Sequence, residues 1–432
     1  MKLMISQMQS IAIAAASTGD PANRAIYAEQ YDAVQDQVAD LAKTSKLNIN
    51  FLIAPVPEWR IDRIVQSVLR IDEVVCQCRA RLLYSVKPLE IPSVLDLLSQ
   101  AVEGFAVSSL FEAQLVKDST GENPVVNISA PVFSDKDIAD IFEVCDFVSF
   151  NSIRQLQQFG AEASRQISVG LRINPQKSFI EDERYDPCRR HSKLGVPLEE
   201  LSRLMSETPT VFETVSGIHF HNNCDSSDFS ELLATVEHLD TVIGPLLSCV
   251  QWINIGGGYL FNEADSLAPF FRAVDLLRTK YGLTVFVEPG AAIVRNAGYL
   301  VSTVLDMFES DGKTVAILDT TVNHMPEVFE YQFSPDVLGA TDDGEFKVIL
   351  AGCSCLAGDL FGEFAFEKPI TIGARVVFQN MGAYTVPKWH MFNGINLPSI
   401  YALTEDGQIV LKKQFTYADF AARNGVPTHA FI

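Results

Sequence analysis

Four short apolar runs in this chain each end in residues able to do covalent or proton-transfer chemistry. Lys87 follows LLYSV (82–86). His219 and His221 close VSGIHFH (215–221), with Cys224 three residues later. Gly256, Gly257 and Gly258 follow QWINI (251–255). Glu288 ends TVFVE (284–288), just before Pro289 and Gly290. An amine can attack a carbonyl, and a histidine can move a proton or lie on a flat ring. Consecutive glycines let backbone N–H groups close on a phosphate. Each residue alone also has an ordinary explanation. Lys87 could be a surface lysine, His221 a core histidine, the glycines a flexible turn, and Glu288 a helix cap. Their combination acquires chemical meaning if the fold gathers them.

The rhythm of the chain says that it does. Between residues 82 and 288 eight β-rich runs alternate with stretches of helical spacing: the four above plus GFAV (104–107), PVVNI (124–128), FVSF (147–150) and SVGLRI (168–173). They lack clean polar alternation, which suits strands buried on both faces of a parallel sheet. Eight such repeats over about 250 residues predict a closed (β/α)8 TIM-like barrel. An open doubly wound sheet competes, but no GxGxxG follows an early strand. In a barrel, chemistry collects at the C-terminal ends of the strands, and phosphates favour the loops after the seventh and eighth. Lys87, His221, the glycine triplet and Glu288 all fall there. A lysine, a ring partner, an acidic group and a phosphate nest together match the needs of pyridoxal 5'-phosphate.

Three segments are expected: residues 1–48, an extension with helical spacing at Ile26, Tyr27, Val34, Val38 and Leu41; residues 49–298, the barrel; and residues 299–432, a mostly β domain read from YLVSTVLDMF, TVAILDT, FKVILAG, ITIGARVVFQN and QIVLKKQFTY. The net charge is −21, from 33 basic and 54 acidic residues. That surface disfavours nucleic acid and anionic membranes and favours cationic substrates. Eight scattered cysteines with no secretory leader predict free thiols and a cytoplasmic protein. The C-x-C pairs Cys76/Cys78 and Cys353/Cys355 lack the companions a zinc site needs, so no metal is expected. No run of about 18 apolar residues predicts a membrane helix.

From about residue 50 onward the chain resembles fold-type III pyridoxal-phosphate decarboxylases, the ornithine and diaminopimelate decarboxylase group. It is most similar to the carboxynorspermidine/carboxyspermidine branch. The resemblance rests on YSVKP (84–88), SSLFE (108–112), FVSFNSIRQLQ (147–157), GLRINP (170–175), YDPC (185–188), SKLGV (192–196), GIHFHNNC (217–224), INIGGGY (253–259), EPG (288–290), GYLVSTVLD (298–306), NHMPEV (323–328), CLAGD (355–359) and MGAYT (381–385). It implies that Lys87 carries the cofactor, that His221 stacks on its ring, and that Glu288 holds the pyridinium nitrogen. Gly256, Gly257, Gly258 and Tyr384 would take the phosphate. It further implies a homodimer with shared sites, in which Cys355 and Asp359 come from the second subunit and Cys355 is the acid. Asp359, Glu327 and Cys224 are expected to contact a cationic substrate. Three positions depart from the pattern: Ala291, where relatives carry a polar or charged residue, Lys193 in place of arginine, and Pro88 after the lysine.

The function so implied is loss of the α-carboxylate from a carboxy-polyamine in polyamine (spermidine) biosynthesis, a lyase reaction. A racemase, or a decarboxylase of another amino acid, is the alternative within the fold. A non-catalytic pyridoxal-phosphate carrier is the alternative outside enzymes; small proteins of that kind lack the second domain and the CLAGD segment.

Overall fold

The computed structural model describes residues 62–121, 124–403 and 408–427, so the extension expected over residues 1–48 lies outside the described residues. The strands are β1 (Arg81–Ser85), β2 (Gly104–Val107), β3 (Val125–Ser129), β4 (Phe147–Phe150), β5 (Ser168–Asn174), the two-residue β6 (Val196–Pro197), β7 (Gly217–His219), β8 (Trp252–Asn254) and β9 (Thr284–Val287). All pair in parallel. β1 lies between β2 and β9, and β4 pairs with β5, which closes the ring; β6 is an addition at the end of β5. The eight runs read from the sequence are the eight barrel staves. The β4–β5 pairing rules out the open sheet, because it leaves the ring without an edge.

Helices follow the strands and cover the outside. Two of their starts show local sequence control. The Ser109 hydroxyl accepts from the Glu112 N–H and the Ser152 hydroxyl from the Gln155 N–H, satisfying amides that have no partner within the helix.

Strand alternation sorts each run between two cores. On β1 and just past it, Leu82, Tyr84 and Val86 point outward into the layer between barrel and helices. Leu83 points inward, joining Ala106, Trp252 and Phe286 in a small cluster inside the ring. Gly170 and Gly217 make room for the Trp252 indole; a Cβ on Gly217 would stand 2.0 Å from that ring. This aromatic plug fixes which face of each strand looks inward.

Beyond Val287 the parallel pattern stops. β10 (Leu300–Ser310), β11 (Lys313–Leu318), β12 (Phe346–Ala351), β13 (Leu360–Phe366) and β14 (Arg375–Phe378) form a sheet in the order β13-β12-β11-β10-β14, antiparallel except for β11 beside β12. Its core includes Leu300, Val304, Leu350, Phe361 and Phe378. β15 (Ile400–Leu403) and β16 (Ile409–Lys413) form a separate hairpin. Three strands escaped the sequence reading: β6, β13 and β15. The segment 381–385 then returns to the barrel mouth. The Tyr384 N–H donates to Pro88 O at 2.9 Å, and the Gly382 N–H to Arg295 O at 3.0 Å.

Candidate active site

The plug sets the phase for everything above it, because side chains two residues apart share a strand face. From Leu83 the inward positions of β1 run through Ser85 to Lys87. From Phe286 the next on β9 is Glu288. From Trp252 they are Asn254 and Gly256, from Gly217 His219 and His221, and from Gly170 Arg172. Arg172, His219 and Asn254 stand in register across β5, β7 and β8. Past them opens a cavity of about 580 Å³ lined by Lys87, His221, Cys224, Gly258, Glu288 and Tyr384, among others. The fold therefore gathers six of the predicted site residues around one space.

Lys87 lines this cavity and is solvent-accessible within it. Its amine has no hydrogen-bond or ion-pair partner among the described residues. Desolvation by the surrounding protein, offset by Glu288 and reinforced by Arg172, lowers its pKa from the usual lysine value. Burial pushes Glu288 the other way, above the usual carboxylate range, against the hydrogen bond from Asn254 and the charges of Lys87 and Arg172. Asn254 Nδ2 donates to Glu288 Oε1 at 2.5 Å, while its Oδ1 accepts from the Gly256 N–H at 2.9 Å. His221 is held neutral, first by burial and then by Lys87 and Arg172. Its Nδ1 accepts from the Gly257 N–H at 3.1 Å, which fixes the ring and leaves its proton on Nε2.

The glycine triplet is less open than its sequence suggests. The Gly256 and Gly257 N–H groups serve Asn254 and His221. Gly258, at φ +86°, lines the cavity and keeps its N–H unpartnered among the described residues. Packing explains all three glycines: a Cβ on Gly257 would stand 2.1 Å from Glu288 O, and one on Gly258 2.1 Å from Asn223 O. Gly257→Ala is expected to spread the ends of β8 and β9, costing about 1–3 kcal/mol of stability as overpacking does. It should also weaken cofactor retention at least tenfold by the same displacement. Thermal melts with equilibrium dialysis check this; wild-type retention would refute it.

The other expected residues are placed as follows. Cys224 lines the cavity, its thiol pushed up to about 11 by burial and Asp225. Glu327 is ion-paired to Lys388 Nζ at 2.7 Å, so a substrate ammonium there would have to displace that lysine. Cys355 is exposed on the second domain and does not line the cavity of its own chain; its N–H donates to Asn393 Oδ1 at 3.0 Å. Asp359 is 3% exposed and accepts from the Val322 N–H at 2.7 Å and from the Ser354 N–H at 2.9 Å. In this chain it therefore holds the turn that carries Cys355. Ala291 lines the cavity, and Arg295, four residues on, forms a two-pronged pair with Asp225 at 2.6 Å. The backbone O of Lys193, also on the cavity wall, accepts from Asn151 Nδ2 at 2.8 Å.

The sequence reading noted His219 beside His221 without giving it a part, and passed over Arg172 and Asn254. Their signal was available: each is a polar residue within a mostly apolar run, SVGLRI, VSGIHFH or QWINI.

A cavity-facing, unpaired lysine near a carboxylate, a fixed neutral imidazole and a glycine-lined cavity suit a pyridoxal group. Glu288 Oε2 has no hydrogen bond among the described residues and can take a ring N–H, and the close-packed glycines leave room for the group itself. Fold and site thus define a barrel enzyme of the pyridoxal-phosphate class. The family described as "Pyridoxal-dependent decarboxylase, pyridoxal binding domain" matches residues 61–295. The chain is 30% identical to the carboxynorspermidine/carboxyspermidine decarboxylase of Herminiimonas arsenicoxydans over 85% of this chain and 98% of that one. It is 33% identical to the carboxyaminopropylagmatine decarboxylase of Synechocystis over 76% of this chain and 84% of that one. The crystal structure of a Campylobacter jejuni carboxynorspermidine decarboxylase with norspermidine superposes with a TM-score of 0.75 at 28% identity, covering 84% of this chain and 97% of the other. This chain belongs to the pyridoxal-dependent decarboxylase family; it is a decarboxylase whose cofactor is pyridoxal phosphate.

Proposed function

We propose that this enzyme removes the α-carboxylate of a carboxy-polyamine, carboxynorspermidine or carboxyspermidine, in polyamine biosynthesis. The observation that carries the reading is the placing of Lys87, His221 and Glu288 around one cavity, in a chain whose relatives act on such substrates. The Synechocystis relative supports carboxyaminopropylagmatine as a second candidate of the same chemical class.

When bound, pyridoxal phosphate supplies the electron sink that lets the substrate's Cα–COO⁻ bond break. The chain does the rest. Lys87 would hold the cofactor's aldehyde carbon, and His221 would lie on its ring. Glu288 would keep the ring nitrogen protonated, while Gly258, whose N–H is free among the described residues, would take the phosphate with Tyr384; Gly256 and Gly257, expected there from the sequence, instead hold Asn254 and His221. Cys355, on a turn fixed by Asp359 and Asn393, would protonate the substrate carbon after CO2 leaves. Because Cys355 lies outside its own cavity, a homodimer with reciprocal sites is part of the proposal, as is a cytoplasmic setting. Among the described residues no helix is long and apolar enough to cross a membrane.

The test is to incubate the holoenzyme with the three carboxy-polyamines and with lysine, ornithine, arginine and diaminopimelate, measuring CO2 and amine. Efficient turnover of a carboxy-polyamine is expected. Preference for a simple amino acid, or racemisation without CO2, overturns the reading.

Glu288→Gln is expected to bind cofactor and to lose about 10- to 100-fold in kcat, the size of a hydrogen bond to a charged group, with KM little changed. An amide cannot carry the charge that keeps the ring nitrogen protonated. An unchanged kcat would remove Glu288 from the mechanism.

A further inference from the structure

His219, on β7, has no duty in the scheme above. It is 2% exposed, and neither ring nitrogen has a hydrogen-bond partner among the described residues. Buried polar groups are nearly always partnered, so an orphan at the edge of an active site calls for an explanation. Asn254, in register with it on β8, already spends its Oδ1 on the Gly256 N–H and its Nδ2 on Glu288. Arg172 on β5 and Lys87 after β1 are cations and cannot accept. His221 follows on its own strand, with its Nδ1 already taken by Gly257. Glu288 offers an acceptor: its Oε2 lies 3.9 Å from His219 Nε2, and its Oε1 is the oxygen that Asn254 engages.

Burial, with Arg172 and Lys87, keeps the His219 ring neutral, so it has a single N–H to place. We propose that His219 is a positioning residue for Glu288, its Nε2–H donating to Oε2 in the loaded enzyme while Asn254 donates to Oε1. Closing 3.9 Å to a hydrogen bond takes a shift of about 1 Å. Two donors on one carboxylate stabilise its ionised form against the burial that favours the neutral acid. The shared proton then stays on the cofactor's ring nitrogen instead of on Glu288. The inference rests on the reading that Glu288 faces that nitrogen. His219 touches no reacting atom, so its loss should lower kcat rather than raise KM.

The first test uses the wild-type holoenzyme with 15N-labelled histidine. The His219 signals, assigned by their absence in His219→Gln, should show the Nε2–H tautomer; the Nδ1–H tautomer overturns the proposal. The second loads 15N-labelled pyridoxal phosphate into His219→Leu and His219→Gln. In the leucine variant the ring-nitrogen resonance should move towards its unprotonated value. kcat should fall about tenfold or more, with KM within about threefold. Glutamine, whose amide nitrogen can stand where Nε2 does, should restore most of both. An unmoved resonance in the leucine variant overturns the proposal. If that variant does not fold, the wild-type tautomer and the glutamine variant still decide. Glu288→Gln is the control. If it too leaves the resonance and kcat unchanged, the reading of Glu288 has failed; if it shifts them and His219→Leu does not, only the role of His219 has failed.

Discussion

Lys87→Ala is expected to yield a folded protein with turnover reduced on the order of 10³-fold or more, because it removes the covalent attachment point for the cofactor. Folding should survive, since the amine makes no hydrogen bond or ion pair among the described residues and the strand that carries it is fixed by Leu83 inside and by Leu82, Tyr84 and Val86 outside. Borohydride reduction of wild-type holoenzyme, then peptide mass mapping, should find the pyridoxyl group on Lys87. A pH signature goes with this. The Lys87 pKa is lowered from the usual lysine value, so Nζ becomes uncharged, and hence nucleophilic, at lower pH than an exposed lysine. The rate of cofactor capture by apoprotein should therefore rise with pH and level off below the range of a free lysine side chain. Attachment at any other lysine would sink the assignment.

Mixing two inactive variants, Lys87→Ala and Cys355→Ala, is expected to restore amine formation. In a two-fold dimer whose sites each draw Lys87 from one subunit and Cys355 from the other, a mixed dimer has one site with both lesions and one with neither. Random exchange of equal amounts makes about half the dimers mixed, giving roughly a quarter of wild-type activity. The chain supports this expectation in two ways. Cys355 is exposed and does not line its own cavity. Its surroundings and the rim of the mouth both show apolar surface to solvent: Phe329, Leu360 and Phe392 near the cysteine's turn, Phe111 in the first turn of the helix after β2, and Val132 on the loop after β3. Exposed side chains of this size suit an interface. If subunit exchange is demonstrated by mass and no activity returns, the shared-site arrangement is wrong.

How the site could be read in advance depended on where each polar residue stood relative to its strand. Lys87, Glu288 and His221 are polar groups at or just past the end of an apolar run, where a barrel exposes its chemistry, so type and position pointed the same way. Arg172, His219 and Asn254 sit one step deeper, inside runs whose apolar neighbours Leu171, Ile173, Ile218, Ile253 and Ile255 dominated the pattern. The pair of Arg295 with Asp225 joins residues far apart in sequence, and only the meeting of the loops after β7 and β9 brings them together. β13 was hidden beside the CLAGD motif, although LFGEFAF carries enough apolar residues for a strand.

Local residue pattern is enough to mark the eight staves and to put the lysine, histidine and carboxylate at their C-terminal ends, where a barrel gathers its chemistry. Strand periodicity is local and survives any change in how strands are ordered. Tertiary structure alone decided that β4 meets β5 to close the ring, that Tyr384 returns through Pro88 to the mouth, and that Gly256 and Gly257 spend their N–H groups on Asn254 and His221. It also set Asp359 to holding a turn. These are matters of which distant segments come within hydrogen-bond distance, and of which donors are already committed when they do. Such commitments depend on contacts across the whole chain, and no local pattern of residues encodes them.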